Sequence, residues 1–280
     1  MTDLQKKILE VYEQFRRICE EHNLRYYAIG GTCIGAIRHH GFIPWDDDMD
    51  VAMPMSDYMK FREIVKANPP EHYGMFDWQE CKHSKIKHIK LFDERTTYIE
   101  LGMEDMPDRY TGIFIDIMPI AGITENAQKQ KKYMDKCKRL LRLNAARRFE
   151  IKRNVTLKSK VFSIATRILM IWKPFNYYSL KYEDHIAKYE FGATEQVFFS
   201  WRVPLRVPYK NIFSYKLFKE YIEVPFENTR IRVPKGYDEY LKEDFGNYMQ
   251  LPSENKRHGG HPAFICDFDK SYREYQEGKI

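Results

Sequence analysis

Four of the five residues in Asp46-Asp47-Asp48-Met49-Asp50 are acidic, and the apolar run Val51-Ala52-Met53 follows directly. Carboxylates this close repel one another, so a folded chain keeps them only where water solvates them or a cation neutralises them. Trp45 before the run and Val51 after it point to a partly buried setting. Asp48 and Asp50 are two apart at the head of a strand, share a face, and can share a metal ion. A second stretch, Gly112-Ile113-Phe114-Ile115-Asp116-Ile117-Met118-Pro119, holds one carboxylate inside a strongly apolar strand. A buried, unpaired carboxylate is costly, so Asp116 needs a charged partner. If the two strands are neighbours, three carboxylates meet, and magnesium (or manganese) is the natural occupant. The alternatives are a solvated acidic turn and a salt bridge from Asp116 to an arginine.

Periodicity supplies the surrounding elements. Leu4, Ile8, Val11, Phe15 and Ile18 recur at helical spacing, with Thr2 and Gln5 forming a capping box and Asn23 as the stop. Leu24 to Ile29 reads as a strand ending at a Gly30-Gly31 turn, and a short helix runs from Thr32 to His39. Met49 to Met53 is a strand, and Ser56 caps a helix that Pro69-Pro70 stops. Residues 86–92 and 96–101 read as a strand pair, and Ile113 to Met118 as a strand closed by Pro119. From Thr124 to about Tyr189 the pattern is helical, broken at Pro174. Ile222 to Phe226 and Arg230 to Val233 form a hairpin, and a helix from Tyr237 ends at Gly246. The fold class expected is α+β: a mixed sheet core flanked by helices, with a helical elaboration. The core is expected over about 1–124 plus 197–280, with a basic helical insertion over about 125–196.

Several functions are disfavoured. Gly-Gly-x-x-x-Gly at 30–35 is neither the dinucleotide fingerprint nor a P-loop, and no nucleophile elbow or protein-kinase motif set is present. Its backbone N–H groups, at a strand-to-helix junction, suit an anionic phosphate. Five scattered cysteines without a CxxC pair fit a reducing compartment rather than a disulfide framework or zinc site. No apolar signal core opens the chain, and no apolar run reaches the roughly 18 residues of a membrane span. A cytoplasmic protein is expected. Interleaved Lys, Arg and aromatics at 129–182 raise a basic nucleic-acid-binding module as a different class of reading. That reading leaves the carboxylates unexplained, and no nucleic-acid partner is expected.

Gly-Gly, a spaced Asp-x-Asp, then a later strand Asp resembles the nucleotidyltransferase superfamily, although sixteen residues separate Gly31 from Asp48. The fuller string Gly-Gly-Thr-x-x-Gly-Ala-x-Arg-x-x-Gly-Phe-Ile-Pro-Trp-Asp-Asp-Asp-x-Asp at 30–50 is similar to the LicD family. So are Gly-Ile-Phe-Ile-Asp-Ile-x-Pro at 112–119, Phe-Gly-Asn-Tyr-Met-x-Leu-Pro at 245–252, and the closing Arg257 and His261. Asn247 stands where the family pattern has Asp. The resemblance implies a nucleotidyltransferase-like core. It also implies metal-dependent transfer of phosphocholine, or a related alditol phosphate, from a CDP-linked donor. CDP-choline and a CDP-alditol such as CDP-ribitol are the donor types. The acceptor would be a glycan or lipid-linked glycan, such as a teichoic acid or lipopolysaccharide precursor, and CMP would be released. On that basis Asp48, Asp50 and Asp116 hold metal, and Asp116 approaches the acceptor hydroxyl. Gly30, Gly31 and Thr32 cradle the diphosphate, Arg38 and Lys90 neutralise phosphate oxygens, and Arg257 and His261 close the site. Nucleotidyl transfer at an NTP α-phosphate is the alternative. A choline cage would draw on Tyr26, Tyr27, Trp78, Tyr98 or Trp201, for which core packing is the default.

Net charge is +6, but residues 129–160 carry thirteen Lys or Arg against Asp135 and Glu150. That block is +11, leaving −5 for the remainder, so the charge is strongly polarised. The run from Val161 to Pro174, ending in Trp172-Lys173-Pro174, is too short to span a bilayer but can lie in its interface. Peripheral contact with an anionic inner leaflet is therefore expected, with Arg142, Arg147, Arg148 and Lys152 among the contributing cations. A solvated basic helix followed by a buried core helix is the alternative.

Overall fold

The computed structural model describes residues 1–84, 86–148, 156–203 and 211–278. The chain opens with α1 (Asp3–Glu21), β1 (Tyr27–Ala28), α2 (Gly30–Arg38), β2 (Asp50–Pro54) and α3 (Met55–Ala67). Next come β3 (Tyr73–Asp77), β4 (Ile89–Asp93), β5 (Thr97–Glu100) and β6 (Phe114–Ile123). A helical layer follows, α4 (Ala127–Arg148), α5 (Leu157–Leu169) and α6 (Tyr177–Ile186). The rest is β7 (Gln196–Phe199), β8 (Ile212–Ser214), α7 (Tyr215–Phe218), β9 (Tyr221–Phe226), β10 (Thr229–Pro234), α8 (Tyr237–Phe245), β11 (Ala263–Asp267) and α9 (Tyr272–Gln276). This is a mixed α+β core with an added helical region.

β6 organises the sheet. One edge pairs in parallel with β2, which in turn pairs antiparallel with β1. Its other edge pairs antiparallel first with β4 and then, farther along, with β7. β3 extends the sheet beyond β4, and β8 beyond β7. All ten residues of β6 are buried, as expected for a central strand covered on both faces. Ile115, Ile117, Ile120 and Ile123 are fully enclosed, and α1 and α3 pack against this strand.

The α1 capping box is present in full, with Thr2 and Gln5 exchanging hydrogen bonds. Its apolar stripe Ile8, Val11, Phe15 and Ile18 is buried. The hairpin of β9 and β10 also forms as its pattern predicts. Other expectations need correction. Residues 86–92 and 96–101 do not pair with each other: β4 joins the main sheet, and β5 turns away to pair with β11. The cause lies in the connection. Asp93 accepts from the backbone and guanidinium of Arg95, and Thr96 donates to the Asp93 carbonyl, so the chain leaves the sheet plane at once. Gly112 permits this packing, since a Cβ there would lie 1.7 Å from the Asp93 carbonyl oxygen.

Pro119 does not end β6. It lies where the edge partner changes from β4 to β7, so no ladder bond needs its missing N–H, and its carbonyl accepts from Ser200. Pro54, not Ser56, occupies the N-cap of α3. The expected strand at Leu24 to Ile29 is reduced to β1, and Gly30-Gly31 is the first turn of α2 rather than a turn before it. Strands β3, β7, β8 and β11 carry too few alternating residues to announce themselves. Lys152, with the whole segment 149–155, lies outside the described residues. All five cysteines are free.

Candidate functional site

Sheet register builds the site. In the parallel pair Asp50 lies beside Asp116, and in the antiparallel pair Lys90 lies beside Asp116 on its other side. The row Asp50–Asp116–Lys90 therefore crosses three neighbouring strands. Asp116 is 3% exposed and Lys90 5%. Lys90 Nζ lies 3.4 Å from Asp116 Oδ1, 3.7 Å from Glu100 Oε2, and 3.2 Å from the centre of the Phe114 ring. His88 Nε2 bonds the same Asp116 oxygen at 2.9 Å. The partner that Asp116 requires is thus a lysine and a histidine, not an arginine.

Asp50 is placed differently. Its N–H donates to the Thr32 hydroxyl at 2.8 Å, and its carbonyl accepts from Ile29 N–H, tying β2 to α2. Among the described residues none donates a hydrogen bond to its carboxylate. Burial, with the charges of Asp48 and Asp116, pushes the Asp50 carboxyl well above the usual range. At Asp116 burial acts in the same sense, but Lys90 and His88 outweigh it and hold the group below the usual range. The negative charge of this pair therefore sits on Asp116.

A second carboxylate group adjoins the row. Asp46, Asp47 and Asp48 offer oxygens that lie within 4.8 Å of one another. Burial and the charges of Asp48 and Asp47 push Asp46 up to about 7. Gly31 makes room for it: a Cβ there would stand 2.8 Å from an Asp46 oxygen. Asp47 instead accepts from the N–H groups of Gly260 and His261 and latches the C-terminal segment onto the site. His261 bridges Asp48 and Glu100 at 3.0 Å each, and those two bonds raise its imidazole to about 11. It arrives there because β11 pairs with β5, placing Ala263 opposite Glu100.

The expected metal ligands are therefore drawn together unequally. Asp50 and Asp116 are cross-strand neighbours, while Asp48 faces the imidazolium of His261. Among the described residues, the three oxygens that cluster within 4.8 Å belong to Asp46, Asp47 and Asp48. The donor set fits a hard divalent cation. It consists of carboxylate oxygens, two of its carboxyls are driven upward by burial and by neighbouring carboxylates, and one has no donor.

The remaining expected residues divide into two groups. The first intrahelical bond of α2 runs from Cys33 N–H to the Ile29 carbonyl, so the N–H groups of Gly31 and Thr32 lie ahead of the ladder. Gly30, with φ +55°, gives its N–H to the Tyr240 hydroxyl and its left-handed conformation to the chain reversal. Arg38 donates to the carbonyls of Tyr248 and Gln250, and Arg257 donates to that of Pro252 and lies 5.6 Å over the Trp45 ring. These two arginines hold the C-terminal loop over α2 and the acidic run. Asn247 sits exposed on that loop and bonds Gln250. Of the aromatics considered for a cage, Tyr26, Tyr27 and Trp78 are core residues. Trp201 stacks on Phe199, and Tyr98 donates to the His261 carbonyl.

Sequence reasoning missed His88, Glu100 and Asp46 as site residues. His88 carried a readable signal, since it shares a strand face with Lys90 two residues on and both face the acid on β6.

Comparison with known proteins agrees with this geometry. Residues 23–131 match the model of the LicD/FKTN/FKRP nucleotidyltransferase domain. Over 272 residues the chain is 29% identical to lipopolysaccharide cholinephosphotransferase LicD of Haemophilus influenzae, covering 95% of this chain and 98% of that protein. A shorter segment of 86 residues is 23% identical to human ribitol 5-phosphate transferase FKRP, covering 30% of this chain and 17% of that protein. An 85-residue segment is 34% identical to an uncharacterized protein of Rickettsia typhi, of which it covers 26%. The family match over residues 23–131 contains the whole acidic row, and the chain carries a LicD-type nucleotidyltransferase domain.

Proposed function

We propose that this protein transfers phosphocholine, or a related alditol phosphate, from a CDP-linked donor to a hydroxyl of a cell-surface glycan or its lipid-linked precursor, in the cytoplasm. The observation that carries the reading is the cross-strand row Asp50–Asp116–Lys90. Similarity along nearly the whole length of a cholinephosphotransferase supports the donor class. The acceptor oxygen attacks the phosphorus that bears the head group. The bond from that phosphorus to the bridging oxygen breaks, and CMP leaves with the electron pair.

Asp48, Asp50 and Asp116 would hold magnesium or manganese, with Asp46 beside them. A bound divalent cation there neutralises phosphate charge and lowers the barrier to displacement. Lys90 holds Asp116 ionised, so that it can receive the acceptor hydroxyl proton or bind metal. Gly31 and Thr32 present backbone N–H groups toward the diphosphate. Gly30 sets the turn, Arg38 and Arg257 fix the loop that covers the donor, and His261 holds Asp48 until the site fills. We assign the catalytic core to about 1–124 plus 197–280, with 125–196 as the helical insertion.

The family's nucleotidyltransferase domain supports a second reading, attack at an α-phosphate with diphosphate leaving. Product analysis separates the two. Incubation with CDP-choline and CDP-ribitol plus magnesium and a glycan acceptor should release CMP. Pyrophosphate from CTP, with no CMP from either donor, would favour the second reading.

A further inference from the structure

We propose that the helical layer α4–α6 docks on an anionic phospholipid bilayer, with the outer face of α5 lying in the headgroup interface. The inference does not depend on which group the enzyme transfers. Its first support is that α5 is turned inside out. Leu157, Val161, Ile164 and Ile168 recur at helical spacing and are all exposed. The polar residues Ser163 and Thr166 are instead buried, at 7% and 6% exposed. In water the ordinary arrangement is the reverse. The apolar surface continues through the end of the helix and past it, where Leu169, Ile171 and Trp172 are 69%, 78% and 70% exposed. Lys173 Nζ lies 4.3 Å from the Trp172 ring centre, the aromatic-cation pairing suited to an interface.

The second support is charge. On α4 the residues Lys129, Lys132, Lys136, Arg139 and Arg142 are exposed and recur at intervals of three or four. Among the described residues, none of the five has a carboxylate partner. Lys136 and Arg139 join Met170, just past α5, in lining one open cavity of about 680 Å³ whose floor includes Leu140 and Tyr177. The basic stripe therefore reaches the end of the apolar helix. A protein partner would need to match both features, and an anionic bilayer supplies them in one surface, phosphates over acyl chains. No described helix is long and apolar enough to cross a membrane, which fits a helix that lies in the plane.

Two expected contributors do not belong to this face. Arg148 is buried and donates to the carbonyls of Trp78, Cys81 and Gln79, while Arg147 binds the carbonyls of Arg167 and Lys173. Both are internal braces.

The test is flotation of the full chain with phosphatidylcholine vesicles of rising phosphatidylglycerol content, alongside thermal unfolding and sedimentation without lipid. Wild type should float increasingly with anionic content and less in high salt. The variant with Lys132, Lys136, Arg139 and Arg142 changed to Gln, and separately Ile168→Ser with Leu169→Ser, should each float about tenfold less while unfolding at the wild-type temperature. Three results would overturn the proposal. These are equal flotation of wild type and both variants, a dimer without lipid that Ile168→Ser with Leu169→Ser dissolves, or a marked loss of thermal stability in that pair. The last two would mean that a second copy, or another part of the chain, covers the face.

Discussion

The acidic row and the helical layer handle their awkward residues in opposite ways. In the row, charge is buried and partly answered inside the fold: Lys90 and His88 serve Asp116, and His261 serves Asp48 and Glu100. What remains unanswered, at Asp50 and Asp46, is crowded carboxyl oxygen of the kind a divalent cation could coordinate. In the helical layer, apolar surface is exposed, and Lys129, Lys132, Lys136, Arg139 and Arg142 on α4 have no carboxylate partner among the described residues. The difference separates a site whose unmet demand is internal from a surface whose unmet demand is external. Substitutions in the two regions should therefore act on different observables.

The largest effects belong to the row. Asp48→Ala, Asp50→Ala and Asp116→Ala should each lower transfer by about a thousandfold or more, read as CMP release. Stability should split them. Asp50→Ala removes repulsion and should leave the metal-free protein as stable or more so. Asp116→Ala leaves buried Lys90 with only the more distant Glu100 and should cost about 3 kcal/mol in denaturant unfolding. Equal stability of these two variants would break the assignment of the charge to Asp116.

Next comes Lys90→Gln. It should reduce turnover about a hundredfold with little change in fold, because Asp116 loses the cation that keeps it ionised. Its pH–rate profile should also move upward on the acid side. An unmoved profile would assign Lys90 to packing on Phe114 alone.

The pH dependence of metal-free stability is smaller. Asp46 has a folded pKa of about 7, above its ordinary value, so its stabilising contribution is full in acid and fades as pH rises from about 4 through about 7. Asp50 acts in the same direction. His261, raised to about 11, contributes below its ordinary value near 6.5 and loses that contribution as pH climbs through about 11. Asp116 opposes these only in strong acid, where protonation removes its contribution. The metal-free protein should thus lose on the order of 2 kcal/mol between about pH 4 and pH 7, the effect being shared among coupled carboxylates. Magnesium should restore it. A melting temperature flat across this range would contradict the charge excess.

The smallest effect sharpens the contrast from the other side. Ile168→Ser should change unfolding free energy by less than about 0.5 kcal/mol in the absence of lipid, whereas Ile117→Ser in β6 should cost several. A costly Ile168→Ser would erase the distinction between the two regions.

Legibility followed the same line. The acidic row could be read because charge inside an apolar strand is conspicuous: Asp50, Asp116 and Lys90 lie on strands of clear pattern, and Asp48 just ahead of one. Their pairing was not readable, since register depends on which strands become neighbours. His261 reached the site only through β11, whose residues Ala-Phe-Ile-Cys-Asp show no apolar–polar alternation to mark a strand. Arg38 looked like a phosphate ligand but braces the loop at Tyr248, a contact 210 residues away in sequence. In the helical layer the periods were plain, but periodicity gives faces and not their direction. An apolar stripe on α5 predicts a buried face equally well, and only the position of Ser163 and Thr166 shows which side turned inward.

The most direct test of the row as the cation and diphosphate site is calorimetric titration of CDP-choline and CDP-ribitol, with magnesium and with chelator. Without a divalent cation the donor phosphates approach a cluster whose carboxyl groups already crowd one another, so binding should be weak, and magnesium should tighten it by at least about tenfold. Asp50→Ala should abolish that gain. Equal affinity in magnesium and chelator, or a gain that survives Asp50→Ala, would contradict the account.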